Sequence, residues 1–442
     1  MLVIGGVAAG MSAAAKARRS DPNLEIVVYE RSGYVSYGAC GLPYVIKGEI
    51  ATVEDVIART PEQFARQGIT ARVRHEVLAI DPAARTVRVR NMAGGAERTE
   101  RWDRLLLTTG GAPRRLPLPG SELAGIFSLR TVEDAVAIKR WIETVRPASA
   151  VIIGGGYIGL ELAEALAARG IALTLIERLP QVLPSLDAEL AALVQAELER
   201  QQVRLELGVA VEGLEGDERV RAVVAGGRRF PAELVIVSVG VQPGVELARA
   251  AGIALGPTGA VAVDDRQRTS LADIWAAGDV AESRHLVTGR PAWVPLATTA
   301  SKQGRVAGEN MGGGDARFGG IVGTSVVRAF ELEAASTGLS EARARAEGFA
   351  VQTASAVVSS RAGYMPGHSE IHVKLVYEAG GGRLLGGQLV GREGVAKRVD
   401  IVAAALHARW TVDELAELDL AYAPPFSPVW DPILVAANLA KR

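Results

Sequence analysis

Cysteine is all but missing from this chain: Cys40 is the only one in 442 residues. A lone thiol can form neither an internal disulfide nor a cysteine metal cluster. Any chemistry at Cys40 must take its oxidised partner from outside: a small-molecule thiol, a persulfide sulfur or an oxygen. Without a disulfide framework the chain suits a reducing compartment, and the cytoplasm is the expected location. Long apolar runs are also lacking. The runs at 105–109 and 151–156 fall well short of the ~20 residues a membrane span needs. Residues 1–4 already read as a strand, with no basic stretch or cleavage pattern, so no secretory signal is expected. Nor is there an excess of one charge. With 49 Lys and Arg against 50 Asp and Glu, the formal net charge is −1, which argues against broad nucleic-acid or membrane-surface binding. His368, His372 and His407 lack ligand spacing, so no metal is expected.

What the chain does contain is an internal repeat. Leu2-Val-Ile-Gly-Gly-Val-Ala-Ala-Gly10 and Val151-Ile-Ile-Gly-Gly-Gly-Tyr-Ile-Gly159 share one grammar: a β-branched strand, a glycine turn and an Ala-rich helix. Each leads to a second apolar strand ending in an acid, Glu30 or Glu177, about 20 residues past the last glycine, as a dinucleotide fingerprint requires. In the first turn Gly5 allows the bend and Gly10 allows close helix packing, while Val7 replaces the middle glycine. The second turn is complete, with Gly154, Gly156 and Gly159. Helix N-termini following such turns direct N–H groups at a pyrophosphate. Glu30 and Glu177 then accept from an adenosine ribose. A carboxylate at 177 favours NADH, and Arg178 beside it leaves NADPH possible.

Alternating strands are expected over 72–80 and 86–90, and a buried strand over 105–109. Further strands are expected over 220–224 and 234–239, followed by a helix over 296–311 and a glycine-rich linker over 311–320. Strands over 323–335, 350–360, 372–377 and 384–390 with helices over 396–408 and 412–417 suggest an α+β domain. The expected architecture is α/β: two doubly wound three-layer nucleotide-binding domains plus that third domain. The divisions read as 1–115 with 244–318, 116–243, and 319–442. Pro43 suits a first helical turn, which puts Cys40 just before a helix N-terminus. The dipole there is expected to lower the thiol pKa.

Taken together, the two dinucleotide units, the segment from Thr269 to Asp279 and the C-terminal domain resemble the pyridine nucleotide-disulfide oxidoreductases over essentially the whole chain. Within that family, Ser36-Tyr-Gly-Ala-Cys40-Gly-Leu-Pro-Tyr44 is similar to the single-cysteine branch of coenzyme A disulfide reductases, NADH oxidases and NADH peroxidases. The oxidases and peroxidases typically place a histidine in the first glycine turn, and here no histidine precedes His75. The coenzyme A disulfide reductases use two tyrosines of the partner subunit. The phrases Ser359-Ser-Arg-Ala-Gly-Tyr364 and Leu420-Ala-Tyr-Ala-Pro-Pro425 resemble those places, and name Tyr364 and Tyr422 as catalytic beside Cys40.

The resemblance implies FAD, NADH or NADPH, coenzyme A as substrate or covalent mixed disulfide, and a homodimer sharing its active sites. It implies cofactor contacts from Gly5, Gly10, Glu30, Arg31, Thr109, Gly110, Gly154, Gly156, Tyr157, Gly159, Glu161, Glu177, Gly240 and Asp279. Tyr157 would be displaced from the flavin face when the nicotinamide enters. Ser12, Lys16 and Arg19 share one helix face, and with Ser36 and Ala39 they would contact coenzyme A. Three alternatives stay open: an oxidase or peroxidase working through a Cys40 sulfenate, a coenzyme A persulfide or polysulfide reductase, and a redox-sensing flavoprotein without thiol turnover. Some relatives of the sulfur-reducing kind append a rhodanese domain. The sequence to Arg442 shows none, which lowers that option.

Overall fold

The computed structural model describes residues 1–441. Its first sheet is parallel, in the order Ile274–Ala276, Leu105–Leu107, Leu2–Ile4, Ile26–Tyr29 and Ile69–Arg72. Leu2–Ile4 and Leu105–Leu107 are buried at every position, as parallel strands covered on both faces must be. Helices Ala8–Ser20 and Ala297–Met311 cover one face. An antiparallel meander, His75–Asp81, Thr86–Asn91 and Glu97–Arg101, covers the other.

The second sheet, Ile126–Phe127, Leu234–Val237, Ser149–Ile153, Ala172–Glu177 and Arg204–Leu207, repeats this order in its last four strands, while its first edge strand comes from the start of the unit. Helices Val132–Val145, Tyr157–Ala167 and Ala188–Arg200 pack on one face, and the meander Val211–Gly216, Val220–Ala225 and Arg228–Pro231 on the other. Two connecting segments, Gly111–Pro113 and Val241–Pro243, pair antiparallel between the units. The C-terminal part is an antiparallel sheet, Ser325–Ala329, Leu332–Gly338, Leu384–Gly391, Glu370–Glu378 and Val351–Ser359. Helices Val395–Ala408, Val412–Ala416 and Pro432–Ala440 share its core. The architecture is therefore α/β, with two doubly wound three-layer units and an α+β third.

Two local expectations need correction. The run 72–80 is not one strand: Arg72 closes a parallel strand and His75 opens an antiparallel one, because Arg74 between them turns at φ 55°. The run 323–335 is a hairpin that reverses at Phe330, also at φ 55°. The segment 311–320, expected as a glycine-rich linker, is fastened to the first unit. The Asn310 amide holds the main chain of Ala316 and Arg266, Phe318 N–H donates to the Asp265 carbonyl, and Arg266 pairs with Asp315. Among the described residues, no helix is long and apolar enough to cross a membrane.

Close backbone contact joins the first unit's two helices. A Cβ added at Gly304 would lie 2.2 Å from the Ala9 carbonyl oxygen, and one at Gly308 2.2 Å from that of Ala13. Gly308→Val should therefore destabilise the chain by about 2–3 kcal/mol through overpacking, read as a lower denaturant midpoint. An unchanged midpoint would remove this contact from the account of the fold.

Candidate active site

The sequence repeat is also a hydrogen-bond repeat. Gly5 and Gly154 take φ of 103° and 110°, where a side chain is strained. Just beyond each, the strand-end carboxylate grips the turn. Glu30 Oε2 accepts from Gly6 N–H at 2.7 Å, and Glu177 Oε2 accepts from Gly155 N–H at 2.7 Å. Their other oxygens accept from Ser32 and Leu179 N–H, both at 2.8 Å. The hydroxyls of Thr108 and Ser238 donate to the carbonyls at the two turns. Gly10 and Gly159 let each helix cross its own turn, since a Cβ there would fall 1.9 or 2.1 Å from the Gly5 or Gly154 carbonyl oxygen.

These turns fit two dinucleotides. Helices Ala8–Ser20 and Tyr157–Ala167 start with neither a side-chain cap nor an acid in the first turn. Their leading amides can therefore serve an anion. A Cβ at Gly156 would meet nothing within 4 Å, which leaves the approach to the second turn open. Arg31 is exposed just past Glu30. Thr109, Gly110 and Gly240 lie beside the paired connections: Thr109 Oγ1 donates to the Gly244 carbonyl at 2.7 Å, and Gly240 accepts from Arg114 N–H at 3.0 Å. Asp279 Oδ2 is held by Arg130 at 2.7 Å, and its carbonyl by Trp293 Nε1 at 2.8 Å. Sequence reasoning missed Arg130, which sits between motifs and carries no signal of its own.

Cys40 lies in a short turn, Ala39–Gly41, ahead of the helix Leu42–Lys47 with Pro43 in its first turn. The loop before it is fastened at both sides. Ser36, at φ 50°, donates its N–H to the Gly6 carbonyl at 2.9 Å, and Gly38 N–H donates to the Val56 carbonyl at 2.8 Å. Leu42 and Ile46 share a buried cluster with Leu160, Ala163 and Leu166, so this helix packs on the helix bearing Tyr157 and Glu161. Cys40 itself is exposed.

The expected lowering of the thiol pKa is not found. Protein around the sulfur pushes the Cys40 thiol up, the Glu161 carboxylate pushes it further, and Arg130 opposes them. Burial likewise lifts the Glu161 carboxyl to about 7, with Glu164 adding and Arg328 opposing. Glu164 anchors a cluster that sequence reading also missed. It receives Lys47 at 2.8 Å and Arg328 at 2.9 Å on one oxygen, and Phe330 N–H on the other.

The Tyr157 hydroxyl meets Ser185 Oγ at 2.9 Å and Ser325 Oγ at 2.7 Å, tying its helix to the third domain. Tyr364 and Tyr422 come together, hydroxyls 3.5 Å apart, and that contact raises the Tyr422 pKa. They are 73% and 47% exposed, in segments that also expose Phe426, Val429 and Trp430, an apolar surface of the kind that interfaces use. Lys16 pairs with Glu309 at 3.0 Å, Ser12 is half-buried and Arg19 is exposed.

Because the Glu161 pKa stands at about 7 against an ordinary 4.5, the folded chain holds a proton that the unfolded chain loses across that window. Stability should therefore fall as pH rises through it. Glu161→Gln should be more stable than wild type above pH 7 by about 1–2 kcal/mol after allowance for solvent, with the gap closing toward pH 4.5. Denaturant midpoints across that range check this, and a pH-independent difference would contradict it.

Residues 1–304 match the family described as pyridine nucleotide-disulphide oxidoreductase, and residues 324–432 match its dimerisation domain. The chain is 41% identical over 443 residues to an NAD(P)H sulfur oxidoreductase (CoA-dependent) of Pyrococcus abyssi, with 100% of this chain and 98% of that protein covered. It is 33% identical over 446 residues to a coenzyme A disulfide reductase of Staphylococcus aureus, covering 100% and 99%. Among solved structures, reduced CoADR-RHD of Bacillus anthracis superposes with a TM-score of 0.97 at 36% identity, covering 100% of this chain and 79% of that one. With its paired nucleotide turns and its dimerisation domain, the chain belongs to the pyridine nucleotide-disulphide oxidoreductases, as an FAD-dependent NAD(P)H oxidoreductase.

Proposed function

We propose that this enzyme uses NAD(P)H to reduce coenzyme A disulfide through a mixed disulfide between Cys40 and coenzyme A. The observation that carries the reading is a single cysteine, fastened to the first glycine turn and packed against the second unit, in a chain that also pairs Tyr364 with Tyr422. In this reading FAD occupies the turn at Gly5–Gly10, with Glu30 and Asp279 along it, and the nicotinamide dinucleotide occupies the turn at Gly154–Gly159. The corresponding divisions are 1–115 with 244–318 for FAD, 116–243 for NAD(P)H and 319–442 for dimerisation. Glu177 at the ribose end favours NADH.

When bound, FAD supplies the two-electron chemistry that links the nicotinamide to a disulfide sulfur. The Cys40 thiolate attacks one sulfur of coenzyme A disulfide, the S–S bond breaks, and the first coenzyme A leaves as a thiolate. Tyr364 and Tyr422, brought by the second subunit of a homodimer, protonate that leaving group. Two electrons then cleave the Cys40–coenzyme A disulfide, which restores the Cys40 thiolate and frees the second thiol with one further proton. The balance is one disulfide, one NAD(P)H and one proton to two thiols and NAD(P)+. Glu161 opposes the Cys40 thiolate when ionised and ceases to do so when protonated. Tyr157 moves off Ser185 and Ser325 to admit the nicotinamide.

A coenzyme A persulfide or polysulfide as oxidant is the second reading. The same thiol and pocket serve it, and the likeness to the Pyrococcus abyssi enzyme favours it.

Protein purified without reductant should carry an adduct of coenzyme A mass on the Cys40 peptide. Only sulfenic or sulfinic oxygen there would sink the mixed disulfide and point to an oxidase. Cys40→Ser should abolish disulfide reduction while leaving flavin reduction by NADH intact. Tyr422→Phe and Tyr364→Phe should each lower kcat about 10- to 100-fold without moving the KM for NADH. Comparing kcat/KM for coenzyme A disulfide and coenzyme A persulfide decides between the two oxidants.

A further inference from the structure

Glu161 and Glu164 sit one turn apart on the helix Tyr157–Ala167, yet cations are bonded to only one of them. Glu164 is buried and accepts from Lys47 at 2.8 Å, from Arg328 at 2.9 Å and from Phe330 N–H at 3.1 Å. Both cations also reach Glu49, Lys47 at 2.6 Å and Arg328 at 3.0 Å. Two cations and two acids thus cancel. Glu161 is a fifth ionisable group, with no hydrogen bond or ion pair of its own among the described residues. It lines one small space with Pro43, Tyr44, Lys47 and Glu164.

Arg328 is the cation of this group that arrives from outside the two nucleotide units. It stands on the strand Ser325–Ala329 of the third domain, and its guanidinium lies 5.5 Å from the centre of the Tyr44 ring. Tyr44 follows Cys40 by four residues, on the short helix Leu42–Lys47. Glu161 therefore faces Glu164 from its own helix, Tyr44 and Lys47 from the helix after Cys40, and the field of Arg328 from the third domain. Burial and Glu164 keep a proton on Glu161, and Arg328 works against both. Glu161 in turn disfavours the Cys40 thiolate; Asp279 does the same and Arg130 opposes them. A line of influence runs from Arg328 through Glu161 to the thiol.

We propose that Arg328 is a positioning residue for the thiol: by holding Glu164 and covering Tyr44, it sets whether Glu161, facing the helix that follows Cys40, is charged or neutral. The inference rests on Cys40 as the reacting thiol of the reading above, and it gives the third domain a part in the chemistry of its own subunit. An ionised Glu161 adds a net negative charge to this corner, because the four neighbouring charges already balance. A protonated Glu161 adds none. Removing Arg328 leaves Glu164 less compensated and keeps the proton on Glu161 to higher pH. Removing the charge of Glu164 does the reverse.

The test is the rate at which iodoacetamide alkylates Cys40 in FAD-loaded enzyme pretreated with dithiothreitol, followed by mass spectrometry across a pH series. The thiolate is the reactive form, so the rate climbs about tenfold per pH unit below the thiol pKa. Ionisation of Glu161 should put a shelf in that climb near pH 7, about 3- to 10-fold deep. Glu161→Gln should remove the shelf. Arg328→Gln should move it up by about half a pH unit or more, Glu164→Gln should move it down, and Arg328→Lys should return it to the wild-type position. Opposite shifts separate this role from loosened packing, which would move both variants the same way. Glu164→Gln keeps the question decidable where Arg328→Gln does not fold. Three results overturn the proposal: no shelf in wild type, a shelf that persists in Glu161→Gln, or one that Arg328→Gln leaves in place or moves in the same direction as Glu164→Gln. Alkylation involves no coenzyme A, so this outcome is independent of the mass of the Cys40 adduct, which tests the parent reading.

Discussion

The site depends on a carboxylate at the end of a strand accepting the amide of a glycine turn. Glu30 to Gly6 and Glu177 to Gly155 are the same bond made twice, at 2.7 Å in both units. A charge-assisted bond of this kind contributes roughly 1.5–3 kcal/mol, and its geometric effect is larger than its energy. It fixes the direction of the following helix and so aims its free amides. In the first unit it also governs the thiol, because the Cys40 loop leans on the carbonyl of that same Gly6 through Ser36. The uncapped helix start and the loop that carries the sulfur thus share one turn.

The parts that could be read from the sequence are those written in local grammar. The turns, their glycines and their acids lie within about 30 residues of one another, the span of a single βαβ unit. Tyr364 and Tyr422 were accessible only through family resemblance, and their mutual contact spans 58 positions. Arg130 with Asp279, Lys47 with Glu164 and Arg328 with Glu164 are separated by 149, 117 and 164 positions. No spacing rule reaches that far. The direction of the Cys40 thiol failed for a related reason. The dipole argument uses the local helix, whereas the deciding groups come from protein packed around the sulfur and from Glu161 on another unit.

That cross-unit influence ties the two nucleotide turns into one device. The helix that begins at the second turn carries Tyr157 and Glu161 on its first turns and Glu164 one turn later. Tyr157 reaches the third domain, Glu161 acts on the thiol of the first, and Glu164 gathers Lys47 from the first and Arg328 from the third. One short helix is therefore joined to all three parts of the molecule.

The antiparallel bond between Gly111–Pro113 and Val241–Pro243 places the exit and the return of the chain side by side, about 5 Å apart as neighbouring strands are. An insertion whose ends nearly touch demands nothing of its host's shape. The second unit can accordingly be thought of as a cartridge on a two-stranded stem, open to exchange by recombination or grafting while the thiol-bearing unit keeps its own sheet.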